Sequence, residues 1–214
     1  MIYAVLPVKS PARAKKRLHG FLPAAQRERL ARLMFEQTLG ALCEAGGIDR
    51  VAVATNDGDI MAQAQDRGVT VFEEQQQLSH SASADAACLR AMELGASTVL
   101  LVPIDVPLVT PQDFERLAAA ARPGVIIVPS SDGTGTNALA RTPPDVIRSC
   151  FGPGSLHAHL DQAKARGVDA DVLHLPGLMF DIDTPEDVAE LIMRAPASPV
   201  ALFLQSHANR NPRA

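Results

Sequence analysis

The sequence predicts an α/β fold: three layers, with a mostly parallel sheet covered by helices on both faces. Three observations predict it. Short apolar runs alternate with longer stretches of helical spacing along most of the chain, and that alternation builds parallel sheets whose crossovers are helices. Glycine or proline punctuates many of the junctions, where helices stop and chains turn. Charged or glycine-rich segments directly follow several apolar runs, and in such sheets ligands bind beyond the C-terminal ends of the strands.

The elements follow in order. Ile2–Val8 reads as a buried strand. Gln26–Leu42 has helical spacing, with Leu30, Leu33, Met34, Gln37, Thr38 and Ala41 on one face, and Gly46-Gly47 ends it. Val51–Thr55 is a second strand, Asp57–Gln65 a short helix stopped by Gly68, and Val69–Phe72 a third strand. Ser81–Leu94 is an alanine-rich helix closed by Gly95. Thr98–Val102 is the most strand-like run. Thr110-Pro111-Gln112-Asp113 starts a helix: a capping hydroxyl, proline in the first turn, and an acid near the positive end of the dipole. Val125–Val128 is a strand followed by the polar loop Ser130–Asn137. Ser155–Arg166 is a helix, Asp171–Leu175 and Met179–Ile182 are late strands, and Thr184–Asp187 opens the last helix. Residues 1–194 are read as one domain, and 195–214 as a loosely ordered tail rich in Pro, Asn and Arg.

Composition narrows the function classes. The 214 residues are 47% hydrophobic with a formal net charge of −4, whereas a nucleic-acid binder normally carries a basic surplus. The cysteines Cys43, Cys88 and Cys150 are odd in number and scattered, so neither a disulfide framework nor a zinc site is implied, and each reads as a small buried residue. The first apolar run is too short for a signal-peptide core, and no run reaches the length of a membrane span. A cytoplasmic protein with small-molecule partners, no membrane and no nucleic acid is expected. The apolar face of any helix could serve the core or a homodimer.

The strongest chemical feature is Asp181-Ile182-Asp183. On a strand, residues i and i+2 face the same way, so two carboxylates would share one side. Such a pair suits a hard cation such as Mg²⁺. It equally suits a cap at Asp183 and a solvated Asp181. Asp105 shifts the balance. It sits between Pro103 and Pro107 just past an apolar strand, where it has no obvious packing role. Three acids from two strand ends could hold one or two Mg²⁺ over a phosphate chain.

Lys9, Arg13, Lys15, Lys16 and Arg17 follow the first strand and suit a triphosphate. Neither a P-loop nor a GxGxxG motif is present. Asp132-Gly133-Thr134-Gly135-Thr136-Asn137 offers glycines, hydroxyls and free N–H groups for an anion. Phe151-Gly152-Pro153-Gly154-Ser155 places a serine at a helix N-terminus, either an anion site or a plain cap. The histidines form no ligand set; His157 and His159 lie on different helix faces.

In this order, Pro7-Val8-Lys9, Lys15-x-Arg17-Leu18, Ile104-Asp105-x-Pro107-Leu108, Gly133–Asn137, Phe151-Gly152-x-Gly154-Ser155 and Asp181-Ile182-Asp183-Thr184-Pro185 resemble the CofC/FbiD family, the guanylyltransferases of coenzyme F420 biosynthesis. The resemblance spans roughly residues 2–192. It implies a MobA-like nucleotidyltransferase fold and transfer of GMP from GTP to 2-phospho-L-lactate, phosphoenolpyruvate or 3-phospho-D-glycerate, with release of pyrophosphate. It implies Mg²⁺ at Asp105, Asp181 and Asp183, and a basic loop of Lys9, Lys15 and Arg17 facing the triphosphate. Catalysis is expected from the three acids, with Lys15 and Arg17 steadying the leaving pyrophosphate, and GTP contacts are expected at Lys9, Lys15, Arg17, His80 and Ser81. Acceptor contacts fall at Thr136, Asn137, Gly152 and Ser155. Functional coupling to the next enzyme of the pathway is a further implication. Where many members carry a Leu-Asn pair near the base, this chain has Leu78-Ser79 followed by His80-Ser81.

Overall fold

The computed structural model describes residues 1–76 and 79–208. Leu78, and the end of the expected tail from 209 to 214, lie outside the described residues. Seven strands form one sheet: β1 (Ile2–Pro7), β2 (Arg50–Thr55), β3 (Thr70–Glu73), β4 (Thr98–Leu101), β5 (Gly124–Pro129), β6 (Thr136–Thr142) and β7 (Ala170–Val172). Among the described residues, eight α-helices connect or cover them: α1 (Ala24–Glu44), α2 (Gly58–Asp66), α3 (His80–Glu93), α4 (Pro111–Ala120), α5 (Ser155–Ala165), α6 (Pro176–Met179), α7 (Pro185–Arg194) and α8 (Pro199–Ala208).

The sheet order is β3-β2-β1-β4-β6-β5-β7. All pairings are parallel except those of β6, which runs antiparallel to both β4 and β5. The expected mostly parallel, three-layer α/β architecture is therefore present, with one reversed strand, β6, that the sequence does not predict and whose first two residues fall in the expected polar loop. Thr136 and Asn137 open that strand rather than closing a loop. The alternating polarity of β6 is weak, because its mid-sheet position buries both faces.

Period-two alternation sorts the strand residues into the two helical layers. From β1, Ala4 and Leu6 face a core with Phe35 and Leu39 of α1, Ile60 of α2 and Phe114 of α4. Tyr3 and Val5 face the other core, with Ala84, Ala87 and Cys88 of α3 and Ala163 of α5. Each large apolar side chain fully buried this way contributes roughly 1.5–3 kcal/mol. Of the cysteines, only Cys88 is buried; Cys43 and Cys150 are exposed, contrary to expectation.

Two late elements differ from the sequence reading. Met179–Ile182 is not a strand. The short helix α6 ends at Met179, and the chain then runs extended into α7 without joining the sheet. Proline at 176 and glycine at 177 favour a local turn over a ladder. The segment after Ala195 is not a loose tail as far as it is described. Val200, Ala201 and Leu204 of α8 are fully buried with Leu18, Leu22 and Leu30 in a third core. The Val200–Leu204 run is this helix's apolar face.

Candidate active site

The parallel strands end on one rim, and the site is built there. Beyond β4 the chain turns through Pro103 to Asp105. Beyond α6 it passes Asp181 and Asp183. The two segments are tied together: Ile182 N–H donates to the Asp105 carbonyl at 3.1 Å, and the Ile182 side chain, between the two acids in sequence, is fully buried in the third core. Gly177 allows the approach, since a Cβ there would stand 2.9 Å from the Leu108 carbonyl. Asp105, Asp181 and Asp183 each present one carboxylate oxygen within 4.8 Å of the others. The acids converge as expected, although an extended linker rather than a strand aims the second and third.

The alternative duty for Asp183 is taken by other residues. Thr184 caps α7 in a capping box with Asp187, whose Oδ2 accepts from the N–H groups of Thr184 (2.7 Å) and Asp183 (2.8 Å). The Asp183 carboxylate is thereby left to the cluster.

Lys15 is embedded among these acids. Its Nζ donates to Asp105 Oδ2 at 2.8 Å and to Asp183 Oδ1 at 3.1 Å, with the side chain 6% exposed. Lys15 is the one described non-glycine residue with positive φ, at 50°, a conformation that costs an L-residue free energy and marks functional positions. Burial pushes the Lys15 ammonium down, but the facing carboxylates outweigh it and hold its pKa above the ordinary value. Burial pushes Asp105 up, and Lys15 more than offsets it, holding the carboxyl below the usual range. Asp181 behaves differently. Burial and the neighbouring Asp105 charge raise it to about 6.

The donor set fits a hard divalent cation. It consists of three carboxylates converging on a point that already stabilises one positive charge. Asn137 keeps the set in place, with its Nδ2 within 3.1 Å of the Leu178 and Met179 carbonyls and of Asp181 Oδ1. The amide nitrogen of this residue, expected to contact substrate, holds the acidic segment, while the residue also lines the cleft.

The acids open into a cleft of about 760 Å³, the size of a small-ligand site. Lys9, Arg17, His80, Thr136, Asn137, Gly152 and Ser155 line it with Asp105, Asp181 and Asp183. Arg17 reaches Asp183 Oδ2 at 3.5 Å. Lys15 and Ser81 do not line it; Ser81 Oγ accepts from Phe151 N–H at 2.9 Å, which braces the far wall. The side chain of Arg13 lies outside the described part of the structure.

The glycine loop differs from expectation. Its amides are not free. Gly133 N–H donates to the Ser130 carbonyl, Thr134 N–H to Asp132 Oδ1, Gly135 N–H to Ser130 Oγ, and Thr136 N–H to Ser155 Oγ. At the α5 terminus, Ser155 N–H donates to the Gly152 carbonyl and Leu156 N–H to the Thr134 carbonyl. An anion here would be met by hydroxyl groups rather than a nest of amides.

A second pocket of about 310 Å³ lies along α3 on the β2–β3 side. Phe72, Glu74, Ser83 and Arg90 line it. Glu74 Oε1 and Ser83 Oγ are buried there without a hydrogen-bond partner among the described residues. Sequence reasoning missed this pocket, because a glutamate among glutamines after a strand carries no spacing signal.

Comparison with known proteins decides the family. The model of the family "Guanylyl transferase CofC like" matches residues 2–207. The chain belongs to the CofC-like guanylyl transferase family. Within and around this family, the phosphoenolpyruvate guanylyltransferase of Rubrobacter xylanophilus is 36% identical over 89% of this chain and 93% of its own length. The 2-phospho-L-lactate guanylyltransferase of Methanothermobacter thermautotrophicus is 31% identical over 94% and 89%. A solved nucleotidyl transferase, also from Methanothermobacter, superposes with a TM-score of 0.62 at 20% identity, over 96% of this chain and 99% of that one, and so shares the fold. A CofC-like enzyme takes a nucleoside triphosphate as substrate. No helix among the described residues is long and apolar enough to cross a membrane.

Proposed function

We propose that this CofC-like chain transfers GMP from GTP to a small phosphorylated carboxylic acid, releasing pyrophosphate, as in coenzyme F420 biosynthesis. The observation that carries the reading is the cluster of Asp105, Asp181 and Asp183 around Lys15, opening into a cleft with Lys9 and Arg17 on its wall. An acceptor phosphate oxygen forms the new bond to the α-phosphorus, and the bond from that phosphorus to the β-phosphate oxygen breaks. A phosphate is already ionised at neutral pH, so no general base is required. The protein's work is positioning and charge neutralisation.

The three aspartates would hold Mg²⁺. When bound, that ion supplies charge neutralisation at the reacting phosphates. Lys9 and Arg17, both exposed at the cleft, hold the triphosphate, and Arg17 beside Asp183 faces the leaving pyrophosphate. Lys15 keeps the acids assembled. Thr136, Gly152 and Ser155 face the acceptor. The base is read in the second pocket, where the carboxylate of Glu74 accepts from guanine N1–H and the 2-amino group. Adenine presents a lone pair at N1, which a carboxylate repels.

The test is incubation with GTP, Mg²⁺ and phosphoenolpyruvate, 2-phospho-L-lactate or 3-phospho-D-glycerate in turn, with mass analysis of products. A guanylylated acid with pyrophosphate is expected with at least one of them. Phosphoenolpyruvate comes first, because the 36%-identical relative bears that name. Absence of product with all three sinks the reading.

A further inference from the structure

We propose that His159 is a positioning residue that fixes the Thr136 hydroxyl as a donor into the cleft, aimed at an anionic oxygen of the acceptor. The proposal rests on the acceptor reading above and adds to it a residue that does not itself touch the ligand.

The argument is one of hydrogen-bond polarity. His159 sits on α5, fully buried. Its Nε2 lies 2.9 Å from the backbone nitrogen of Cys150. A backbone N–H can only donate, so Nε2 is the bare, accepting nitrogen. In the neutral ring the proton is then on Nδ1. The ring is neutral because burial, aided by the nearby Arg141 charge, pulls its pKa down to about 4. The Ser155 carbonyl, one helical turn back, also favours a proton on the ring.

Nδ1 lies 3.0 Å from Thr136 Oγ1. With the proton on Nδ1, Thr136 must accept in this contact, and its own hydroxyl proton has to point elsewhere. Thr136 lines the cleft. Among the described residues no other partner for its hydroxyl is found. Ser155 repeats the arrangement: its Oγ accepts from Thr136 N–H at 2.7 Å, and it too lines the cleft. Two hydroxyls thus have their accepting sides filled from within. Because the amides of residues 133–136 are spent internally, an anion seated against Thr136 and Ser155 meets their hydroxyl protons rather than those amides. Phe151 packs edge-on to His159, with ring centroids 5.6 Å apart, and covers it on the cleft side of the 150–154 loop.

A merely structural role would make His159 a brace for that loop through Nε2. Two substitutions separate the roles. Asparagine places a donor near the Nδ1 position and abandons Cys150; glutamine reaches the Nε2 position and abandons Thr136. The expected result is that His159→Gln raises the acceptor KM by about tenfold or more, the loss of one hydrogen bond to a charged group. The KM for GTP should stay unchanged. His159→Asn should stay within about threefold of wild type, on the same hydrogen-bond scale. Equal acceptor KM values for the two variants, or a parallel rise in the GTP KM, would overturn the proposal. Thr136→Val and Thr136→Ser keep it testable should α5 not tolerate change: Val should raise the acceptor KM and Ser should not, and an unchanged KM in Thr136→Val overturns it. Imidazole ¹⁵N shifts of the full-length protein read the tautomer without substrate; a proton on Nε2 overturns the proposal even if turnover is normal. Failure of wild type to use any phosphoacid would instead count against the function proposed above.

Discussion

Lys15 Nζ lies 2.8 Å from Asp105 Oδ2, across 90 positions of sequence. The pair joins the loop after the first strand to the turn after the fourth, and Asp183 completes it at 3.1 Å. Removing the ammonium should leave carboxylates close together without a counter-charge. Lys15→Met is expected to lower stability by about 3–5 kcal/mol, the scale of a broken buried pair. Added Mg²⁺ should restore more of the thermal midpoint in this variant than it adds to wild type. Melting curves with and without Mg²⁺ check this, and equal Mg²⁺ shifts in the two proteins would count against a shared cation site.

Asp183→Asn should fold, because Asp183 caps no helix and its carboxylate is partly exposed, at 41%. Turnover is expected to fall by about two orders of magnitude or more, as when one electrostatic contact to the reacting group is lost. A folded variant with near-normal turnover would refute the metal role.

Glu74→Gln should erode base choice with little change in fold, since Glu74 Oε1 has no protein partner among the described residues. The ratio of kcat/KM for GTP over inosine triphosphate should drop by about tenfold, the scale of one charged hydrogen bond. An unchanged ratio would move the base to another pocket.

Arg141 is 1% exposed and donates to Asp85 Oδ1 at 2.9 Å and to the Ile147 carbonyl at 2.6 Å. Asp85 in turn accepts from Ser149 Oγ at 2.7 Å. Asp85→Ala strands the guanidinium and should destabilise by roughly 3–5 kcal/mol. Asp85→Ala combined with Arg141→Met should cost less than the single change. Urea denaturation midpoints for the three variants decide it.

His159 also sets a pH dependence. Its folded pKa, about 4, lies below the ordinary 6.5. The unfolded chain therefore takes up the proton first as pH falls. Stability from this group is intact above 6.5, declines between 6.5 and about 4, and levels off below. The full span is of order 3 kcal/mol at about 1.4 kcal/mol per unit. His159→Asn should flatten that part of the stability profile, measured by denaturation at stepped pH.

Much of the fold was legible because its signals are local. The cap at Thr110 with Pro111 and Asp113 is a capping box in the structure, and Gly68 and Gly95 stand at positive φ where helices α2 and α3 end. The reversed strand β6 was not legible, because its orientation depends on neighbours far away in sequence rather than on any period of its own. Asp105, Asp181 and Asp183 were legible as acids in apolar settings with no packing duty. The means of aiming them was not. A Gly177 contact and the Ile182-to-Asp105 hydrogen bond do what a strand was expected to do. The spent amides of residues 133–136 were invisible too, since glycine and hydroxyl composition is the same whether a loop binds a ligand or binds itself. His159 stood in plain sight four residues after Ser155, on the same helical face, but its meaning comes from which nitrogen faces Cys150.

The single reversal at β6 has a consequence for how such a protein can change. Parallel strands deliver only their last residues to the rim, so each contributes one departing loop. A strand running the other way delivers its first residues, and the loop from β5 to β6 leaves the rim and returns to it. Both of its ends are pinned by ladder pairs, Ile127 to Leu139 and Val128 to Ala138. Insertions or substitutions between residues 130 and 135 can therefore reshape this wall of the cleft while the register on either side stays fixed and the acids opposite keep their places.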